Sequence, residues 1–255
     1  IDEVFRQQIQ AARKFSVEDS KLLQHDATSI PARRLLAVLR GITVDDPELR
    51  PNVDLLLHWD SVLARDSSAA ALYAVWQSKL GERVLKPRVP EKLWASYSAR
   101  LPLQVALDLI EHPDSSFGPD PRAARDVVLI DSLRDAGSDL QKRLGPDPAA
   151  WQWGTLHQAH LNHMLATTQT AEDGGQRAER QKEEVESREL RAENEREQTS
   201  ERAVIAAVFN LPPVPRDGDG STPLAAGGPR HGNFDQTTGA SYRHIIDLAD
   251  WDSSV

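Results

Sequence analysis

Hydrophobic residues between positions 55 and 80 recur at helical spacing in two series. The first series is Leu55, Trp59, Val62 and Leu63, and the second is Ala69, Leu72, Tyr73, Trp76 and Leu80. Because residues three or four apart share one face of a helix, this pattern predicts two amphipathic helices with a break at Arg65 to Ser67. Asp66 or Ser67 can cap the second helix, and Gly81 is expected to end it. Their large aromatic side chains predict that this helix pair forms the centre of the core.

Three helices are predicted before this pair, at about 1–14, 17–29 and 31–40. Ser16 followed by Asp19 forms the pattern of a capping box at the start of the second helix. Pro31 suits the first turn of the third helix, and Gly41 follows its end. The N-terminal half of the chain is therefore predicted to be helical.

Two further helices are predicted downstream, at 101–110 and 122–144. The longer one is expected to turn an apolar side toward the core, formed by Val127, Val128, Ile130, Leu133 and Leu140. Beyond it the pattern changes. Residues 176–202 are almost all charged or polar and predict an exposed helical insertion. Residues 212–232 are rich in Pro and Gly and predict a loop, and alternation at 239–250 predicts a strand.

The composition favours a helical protein without nucleic-acid or membrane partners. Hydrophobic residues make up 39% of the 255 positions, and the formal net charge of −9 argues against general binding to nucleic acid. No apolar run is long enough to span a membrane, and there are no cysteines for a disulfide or a thiolate site. The chain begins at Ile1 inside a helical pattern, so we expect it to be an internal piece of a larger protein.

Several local motifs resemble the penicillin acylase family of N-terminal-nucleophile amidases. The motifs are Phe15 to Asp19 with Leu23-Gln24-x-Asp26, Leu56-x-x-Trp59-Asp60, Asp66-Ser67 with the Ala-rich helix to Trp76, Trp151-Gln-Trp-Gly-x-Leu-His157, and Gly239-x-Ser-Tyr-Arg-x-Ile-x-Asp-Leu248. The Trp-Gly-His motif is the most specific of them. All of them occur in the order that the family shows, which strengthens the resemblance.

The resemblance implies a fold and a division of the chain. The fold class expected is α+β, a mostly helical segment of an αββα N-terminal-nucleophile hydrolase sandwich with strands toward the C-terminal end. Residues 1–150 would form a helical layer, and 151–170 would carry the Trp-Gly-His motif back to the core. Residues 171–203 would be the charged helical insertion, and 204–255 a loop and core strand.

The resemblance also implies the chemistry of the whole enzyme. It would hydrolyse an acyl-amide bond, such as a β-lactam side chain or an N-acyl-homoserine lactone, through an acyl-enzyme on an N-terminal Ser. That Ser lies outside this segment, so no catalytic, cofactor-binding or metal-binding residue is assigned here. The structural Ca²⁺ that the family commonly carries would also be bound elsewhere. The expected partners are the remainder of its own precursor and a small-molecule amide, and the expected location is periplasmic or secreted.

Three constellations could carry chemistry, and each has a simpler interpretation. His157, His160 and His163 have no carboxylate nearby to complete a zinc site, and His157 is expected to be a structural hydrogen-bonding residue. The run from Asp217 to Ser221 lacks the remaining ligands of a calcium loop and is interpreted as a turn.

The third constellation, Ser241 with His244 and Asp247, cannot form a triad on a strand, because residues three apart face opposite sides. His25-Asp26 and His58 to Asp60 are expected to be capping, packing or surface residues. The alternative function is a non-catalytic helical interaction module that uses the charged segment, or an inactive relative of the family.

Overall fold

Helices form most of the described structure. A computed structural model of the chain describes residues 6, 9–10, 14–98, 102–161, 204–227, 232–240 and 243–245. Within them the helices are α1 (Val17–Gln24), α2 (Ile30–Leu39), α3 (Arg50–Leu57), α4 (Ser68–Leu85), α5 (Glu91–Ser98), α6 (Leu103–Glu111), α7 (Pro121–Leu144) and α8 (Trp153–Leu156). Short 3-10 turns lie at Lys86–Arg88, Ser115–Phe117 and Pro148–Ala150.

The packing of α4 against α7 forms the centre of the core. Trp76 and Leu72 of α4 and Leu133 and Leu140 of α7 are fully buried. The Trp76 indole donates hydrogen bonds to the Leu129 carbonyl at 3.2 Å and to the Ser132 hydroxyl at 3.0 Å. A buried indole N–H needs such a partner, so the two bonds fix the register of the helices as well as satisfy the ring.

The predicted starts of several helices are confirmed. The Ser16 side chain accepts from the Asp19 amide and Asp19 reaches back to Ser16, which completes the capping box of α1. Ser67, and not Asp66, caps α4 by accepting from the Ala70 amide at 3.1 Å. Pro31 lies in the first turn of α2 as expected.

The predicted helix through Leu55 and Leu63 is wrong, because α3 ends at Leu57. Ser61 has a positive φ of 68°, and the Asp60 carboxylate accepts from the Val62 amide at 2.9 Å. These features form a tight turn that leads the chain out of the helix. Val62 then pairs with Thr28 in an antiparallel bridge, and Leu63 is fully buried, with its amide donating to the Ala27 carbonyl at 2.9 Å. Leu63 therefore matches the helical spacing although it does not lie in a helix, because the turn brings it back to the core.

Three other boundaries differ from the predictions. α1 ends at Gln24 rather than near 28–29, because Thr28 is needed for the bridge to Val62. α4 continues past Gly81 to Leu85, since Val84 and Leu85 are buried and extend its apolar face. The predicted helices at 101–110 and 122–144 are present as α6 and α7.

One position on the predicted apolar side of α7 is also wrong. Val127 is 59% exposed, whereas Leu129 is fully buried. The other four residues predicted on this side, Val128, Ile130, Leu133 and Leu140, are buried or packed against the core.

The described strands form one two-stranded sheet. β1 (Gln158–Ala159) pairs antiparallel with β2 (Val214–Pro215), with Gln158 opposite Pro215. β2 lies inside the predicted loop at 212–232. The chain is mostly helical, as expected, and the αββα sandwich and the proposed domain boundaries stay predictions.

Two compact units are distinguished along the chain. One comprises Ile1–Ala159 with Val214–Val255, and the other comprises His160–Pro213. In the second unit residues 204–209 are helical. In the described ranges no helix combines the length and apolar character that crossing a bilayer requires.

Some predicted elements fall outside the described residues. They are the charged insertion at 176–202 and most of the first helix, of which only residues 6 and 9–10 are described and helical. Of the predicted strand at 239–250, residues 239–240 and 243–245 are described, and these are not in a strand.

Candidate functional site

The Trp-Gly-His motif forms a compact turn that only glycine permits at its centre. The Trp153 amide donates to the Ser67 carbonyl at 3.3 Å, and the Gly154 amide donates to the Arg65 carbonyl at 2.6 Å. A Cβ on Gly154 would lie 2.8 Å from the Cβ of Pro215 and 2.9 Å from that of Arg65. Such contacts are far inside van der Waals distance, so the motif docks directly against the start of α4.

His157 is completely buried beside this turn. Its ring stacks on the Trp153 ring with centroids 4.7 Å apart, and its Nδ1 lies 2.6 Å from the Phe234 carbonyl oxygen. A carbonyl only accepts, so Nδ1 carries the proton and Nε2 is left as an acceptor. Nε2 has no hydrogen-bond partner among the described residues. The expected hydrogen-bonding role of His157 is confirmed.

Burial favours the neutral form of His157. Burial lowers its pKa, and the carbonyls of Phe234 and Ala226 and the charge of Asp219 oppose this effect only in part. Complete burial and the hydrogen bond to the Phe234 carbonyl are typical of a structural histidine.

The loop after β2 brings Asp219 toward the same region. The Gly218 carbonyl accepts from the Trp153 indole at 2.9 Å, and the Gly218 amide donates to the Leu63 carbonyl at 2.7 Å. Asp219 Oδ1 accepts from the amide and the hydroxyl of Ser221, both at 2.7 Å. Although Asp219 is partly exposed as a residue, desolvation of its carboxyl group raises its pKa.

Asp217 has a different set of partners. It pairs with the Arg65 guanidinium at 2.8 Å and accepts from the Arg65 amide at 2.7 Å. The two aspartates therefore do not converge on one point, and the predicted turn is confirmed. In the described part of the chain no group of three His, Cys, Asp or Glu side chains could hold a metal ion.

Tyr73 of α4 is a third titratable group that interacts with Asp219, besides His157. It is fully buried, its ring lies 5.4 Å from that of Trp59, and its hydroxyl lies near the Ser29 side chain without a hydrogen bond of regular geometry among the described residues. Burial raises the pKa of Tyr73, and the charge of Asp219 adds to the rise while nearby Ser29 opposes it. Asp219 interacts electrostatically with both Tyr73 and His157, and we refer to the three residues as the polar cluster.

Two members of the polar cluster do not have the accessibility of catalytic residues. Tyr73 and His157 are 0% exposed, so neither can meet a dissolved substrate in this conformation. Sequence reasoning treated Tyr73 as a core aromatic and Asp219 as a turn residue, and missed that they share one region. The sequence offered one signal of this polar site, namely that Tyr73 places a hydroxyl group in a strongly apolar helical stripe.

The other candidate residues have local partners or lie elsewhere. The His25 amide ends α1 by donating to the Leu22 carbonyl, and His58 Nδ1 lies 2.8 Å from the Asp54 carbonyl oxygen. The Asp26 carboxylate accepts from the Thr28 amide at 2.8 Å. These local contacts agree with the expectation that the residues are capping, packing or surface residues.

His160 is exposed, in contrast to His157. His163, Ser241 and Asp247 lie outside the described residues. The histidine run and the Ser-His-Asp combination can therefore be followed only in part.

Comparison with known proteins identifies a single family. The sequence model of the family described as penicillin amidase matches residues 1–255. The acyl-homoserine lactone acylase QuiP of Pseudomonas aeruginosa is 28% identical over 171 residues, which cover 58% of this chain and 20% of the relative. QuiP of Pseudomonas fluorescens is 26% identical over 153 residues, 56% of this chain and 19% of the relative. The matched region thus spans about a fifth of these relatives.

A solved structure shows a weaker similarity. The thermostable penicillin G acylase from Alcaligenes faecalis, in an orthorhombic form, has a TM-score of 0.43 and 22% sequence identity. The similarity covers 57% of this chain and 32% of that one.

Proposed function

Because this chain belongs to the penicillin amidase family, we propose that it forms part of an enzyme that hydrolyses an acyl-amide bond. The observation that carries the proposal is the match of the family model to every residue from 1 to 255. The two acyl-homoserine lactone acylases add support from individual relatives, at 26% and 28% identity.

The proposed mechanism uses an N-terminal Ser that lies outside this segment. Its α-amine takes the hydroxyl proton as the oxygen attacks the amide carbonyl, and it passes that proton to the substrate nitrogen as the C–N bond breaks and the product amine leaves. Water then attacks the acyl-enzyme, which releases the acid and restores the Ser hydroxyl. Candidate substrates are a β-lactam side chain and an N-acyl-homoserine lactone. The site that binds them would be completed by the remainder of the precursor, and the enzyme would act in the periplasm or outside the cell.

The part of this chain in that enzyme would be a scaffold. The α4–α7 core is held by the buried indole of Trp76, and the Trp-Gly-His turn is clamped between Arg65 and Pro215. A rigid support of this kind positions catalytic groups that other segments contribute.

The test compares two proteins in one assay. The complete protein that contains this chain and the 255-residue chain alone are each given a phenylacetyl anilide and a series of fatty-acyl anilides. We expect the complete protein to release the aniline and the chain alone to release none. A complete, folded protein that hydrolyses no acyl amide, including N-acyl-homoserine lactones, would refute the amidase proposal. Turnover by the rigorously purified chain alone would refute the external nucleophile.

A further inference from the structure

Five large hydrophobic side chains are exposed together among the described residues of the unit His160–Pro213. Their exposed fractions run from 51% for Leu161 to 67% for Val208, and the other three are Val204, Phe209 and Leu211. We refer to these five residues as the exposed apolar patch. The other exposed large hydrophobic residues in the described part of the chain are spread over different elements, with at most two in each helix. Single exposed apolar side chains are common on protein surfaces, whereas a group of them marks a contact surface.

The local backbone brings these side chains together. Residues 204–209 are helical, and Val204 and Val208 lie four residues apart, so they share one side of the helix. The Leu211 amide donates to the Leu161 carbonyl at 3.2 Å. This bond places Leu161 beside the residues that follow the helix, although the two leucines are far apart in the sequence.

The sequence around the patch has the composition of an interface core. Residues 203–213 include no charged residue, although 27% of the whole chain is charged. Depletion of charge distinguishes the buried core of an interface from ordinary protein surface. Interfaces of permanent complexes are also more hydrophobic than those of transient ones. The patch therefore fits an apolar partner surface that stays bound.

Pro212 and Pro213 restrict the way in which such a partner can bind. Both residues are exposed, and they directly follow Leu211. A proline has no amide hydrogen to donate and its φ is fixed, so this stretch of backbone cannot pair along an added β-strand. The contact is therefore made by side chains that pack against a complementary apolar surface.

We propose that the remainder of the precursor covers the exposed apolar patch in the complete protein. The inference rests on the proposed function, because that proposal makes this chain one part of a larger enzyme. The match covers only 20% and 19% of the two acyl-homoserine lactone acylases, so most of each relative lies outside it and could supply such a surface. A segment of the same protein is present at a high effective concentration, which suits a contact that stays bound.

Thiol labelling of the complete protein tests the proposal. This chain contains no cysteine, so Val208→Cys introduces a single thiol into it, within the patch. Val127→Cys on α7 is the matched control, because the same residue type is 59% exposed there but lies next to the charged Asp126. Each variant is treated with N-ethylmaleimide, folded and in urea, and peptide mass spectrometry measures the rate at the introduced thiol.

We expect a large difference between the two thiols in the folded complete protein. After each rate is divided by its value in urea, Val208→Cys should react at least about tenfold more slowly than Val127→Cys, because a covered thiol reacts only when the contact opens. In the isolated 255-residue chain this difference should disappear, because Val208 is there at least as exposed as Val127.

Three results would overturn the proposal. The first is a reaction at Val208→Cys in the complete protein that is as fast as the reaction at Val127→Cys. The second is equal protection of Val208→Cys in the isolated chain, which would show that the chain's own residues cover the patch. The third is protection that is lost on dilution while light scattering shows a dimer dissociating, which would assign the patch to a second copy of the protein.

Amidase activity of the unaltered complete protein is measured separately, so that the two proposals can fail independently. Protection of Val208→Cys in a protein that hydrolyses no acyl amide would support the contact and refute the amidase proposal. Rapid labelling of Val208→Cys in a protein that does hydrolyse an acyl amide would refute the contact alone.

Discussion

Gly154→Ala tests whether the Trp-Gly-His turn is held rigidly against the core. The added methyl carbon would lie 2.8 Å from the Pro215 Cβ, 2.9 Å from the Arg65 Cβ and 3.0 Å from the Arg65 carbonyl oxygen. Carbon atoms are normally about 3.5–4.0 Å apart, so the methyl group overlaps two neighbours by roughly 0.7 Å. Neither neighbour is a flexible side-chain end. The Arg65 backbone is held by Asp217, and Pro215 lies in the two-stranded sheet.

The expected cost is at the upper end of the range for overpacking. We expect Gly154→Ala to lower the free energy of unfolding by about 2–3 kcal/mol. For a chain of this size that loss corresponds to a Tm about 4–12 °C lower. Urea unfolding followed by circular dichroism measures the free energy, and a thermal scan measures the Tm.

Gly137→Ala is the matched control, because its contact is as close but of a different kind. The Cβ would lie 2.4 Å from the side-chain amide nitrogen of Asn52, which is the end of a partly exposed side chain and can rotate away. Alanine also gains about 1 kcal/mol of helix propensity inside α7. We expect a change within about 1 kcal/mol of zero. A Gly154→Ala variant as stable as the unaltered chain, or less affected than Gly137→Ala, would refute the reasoning.

Three further substitutions test the core, a helix cap and an ion pair. Trp76→Phe should lower the free energy of unfolding in urea by about 2–4 kcal/mol, because it leaves a cavity and an unpaired acceptor. Ser132→Ala should lower it by only about 1 kcal/mol, because the indole keeps its main-chain acceptor. Equal costs for the two variants would contradict the hydrogen-bonding scheme. Ser67→Ala should cost about 1 kcal/mol by removing the cap of α4, and Ser67→Asn should restore most of it; a fully stable alanine variant would argue against the cap. Arg34→Met should cost about 1–2 kcal/mol at pH 7, since Arg34 pairs with Glu111 at 2.6 Å and lowers the pKa of that carboxyl group. This contribution is present above the ordinary Glu pKa of 4.5 and is lost as the pH falls through the lower folded-state pKa, so the two stability curves should converge in acid; a gap that is constant with pH would count against it.

Local features of the structure could be predicted from the sequence. The capping box of Ser16 and the cap at Ser67 join a side chain to a backbone amide three residues away. Pro31 acts through its own fixed φ, and α7 follows a long run of apolar residues at helical spacing. In each case the partners lie within one helical turn, so the sequence contains the whole interaction.

The turn at Ser61 shows where the same reasoning failed. The spacing of Leu55, Trp59 and Leu63 suits a helix, but a bridge from Val62 to Thr28 outweighs that preference. The prediction that α4 ends at Gly81 was wrong for a similar reason. Val84 and Leu85 are buried, and their burial extends the helix past that glycine. Helix propensities amount to about 1 kcal/mol or less per residue, and burial of one side chain exceeds that.

The motifs that place the chain in its family are also short, continuous stretches of sequence. The run from Trp151 to His157 can be recognised from the sequence alone, and so can the order in which the motifs follow one another. What the motif does is decided by residues far along the chain. His157 bonds to Phe234, which is 77 residues away, and Trp153 bonds to Gly218, 65 residues away. The polar cluster of Tyr73, His157 and Asp219 forms only once the folded chain closes these loops, because the three residues are far apart in the sequence.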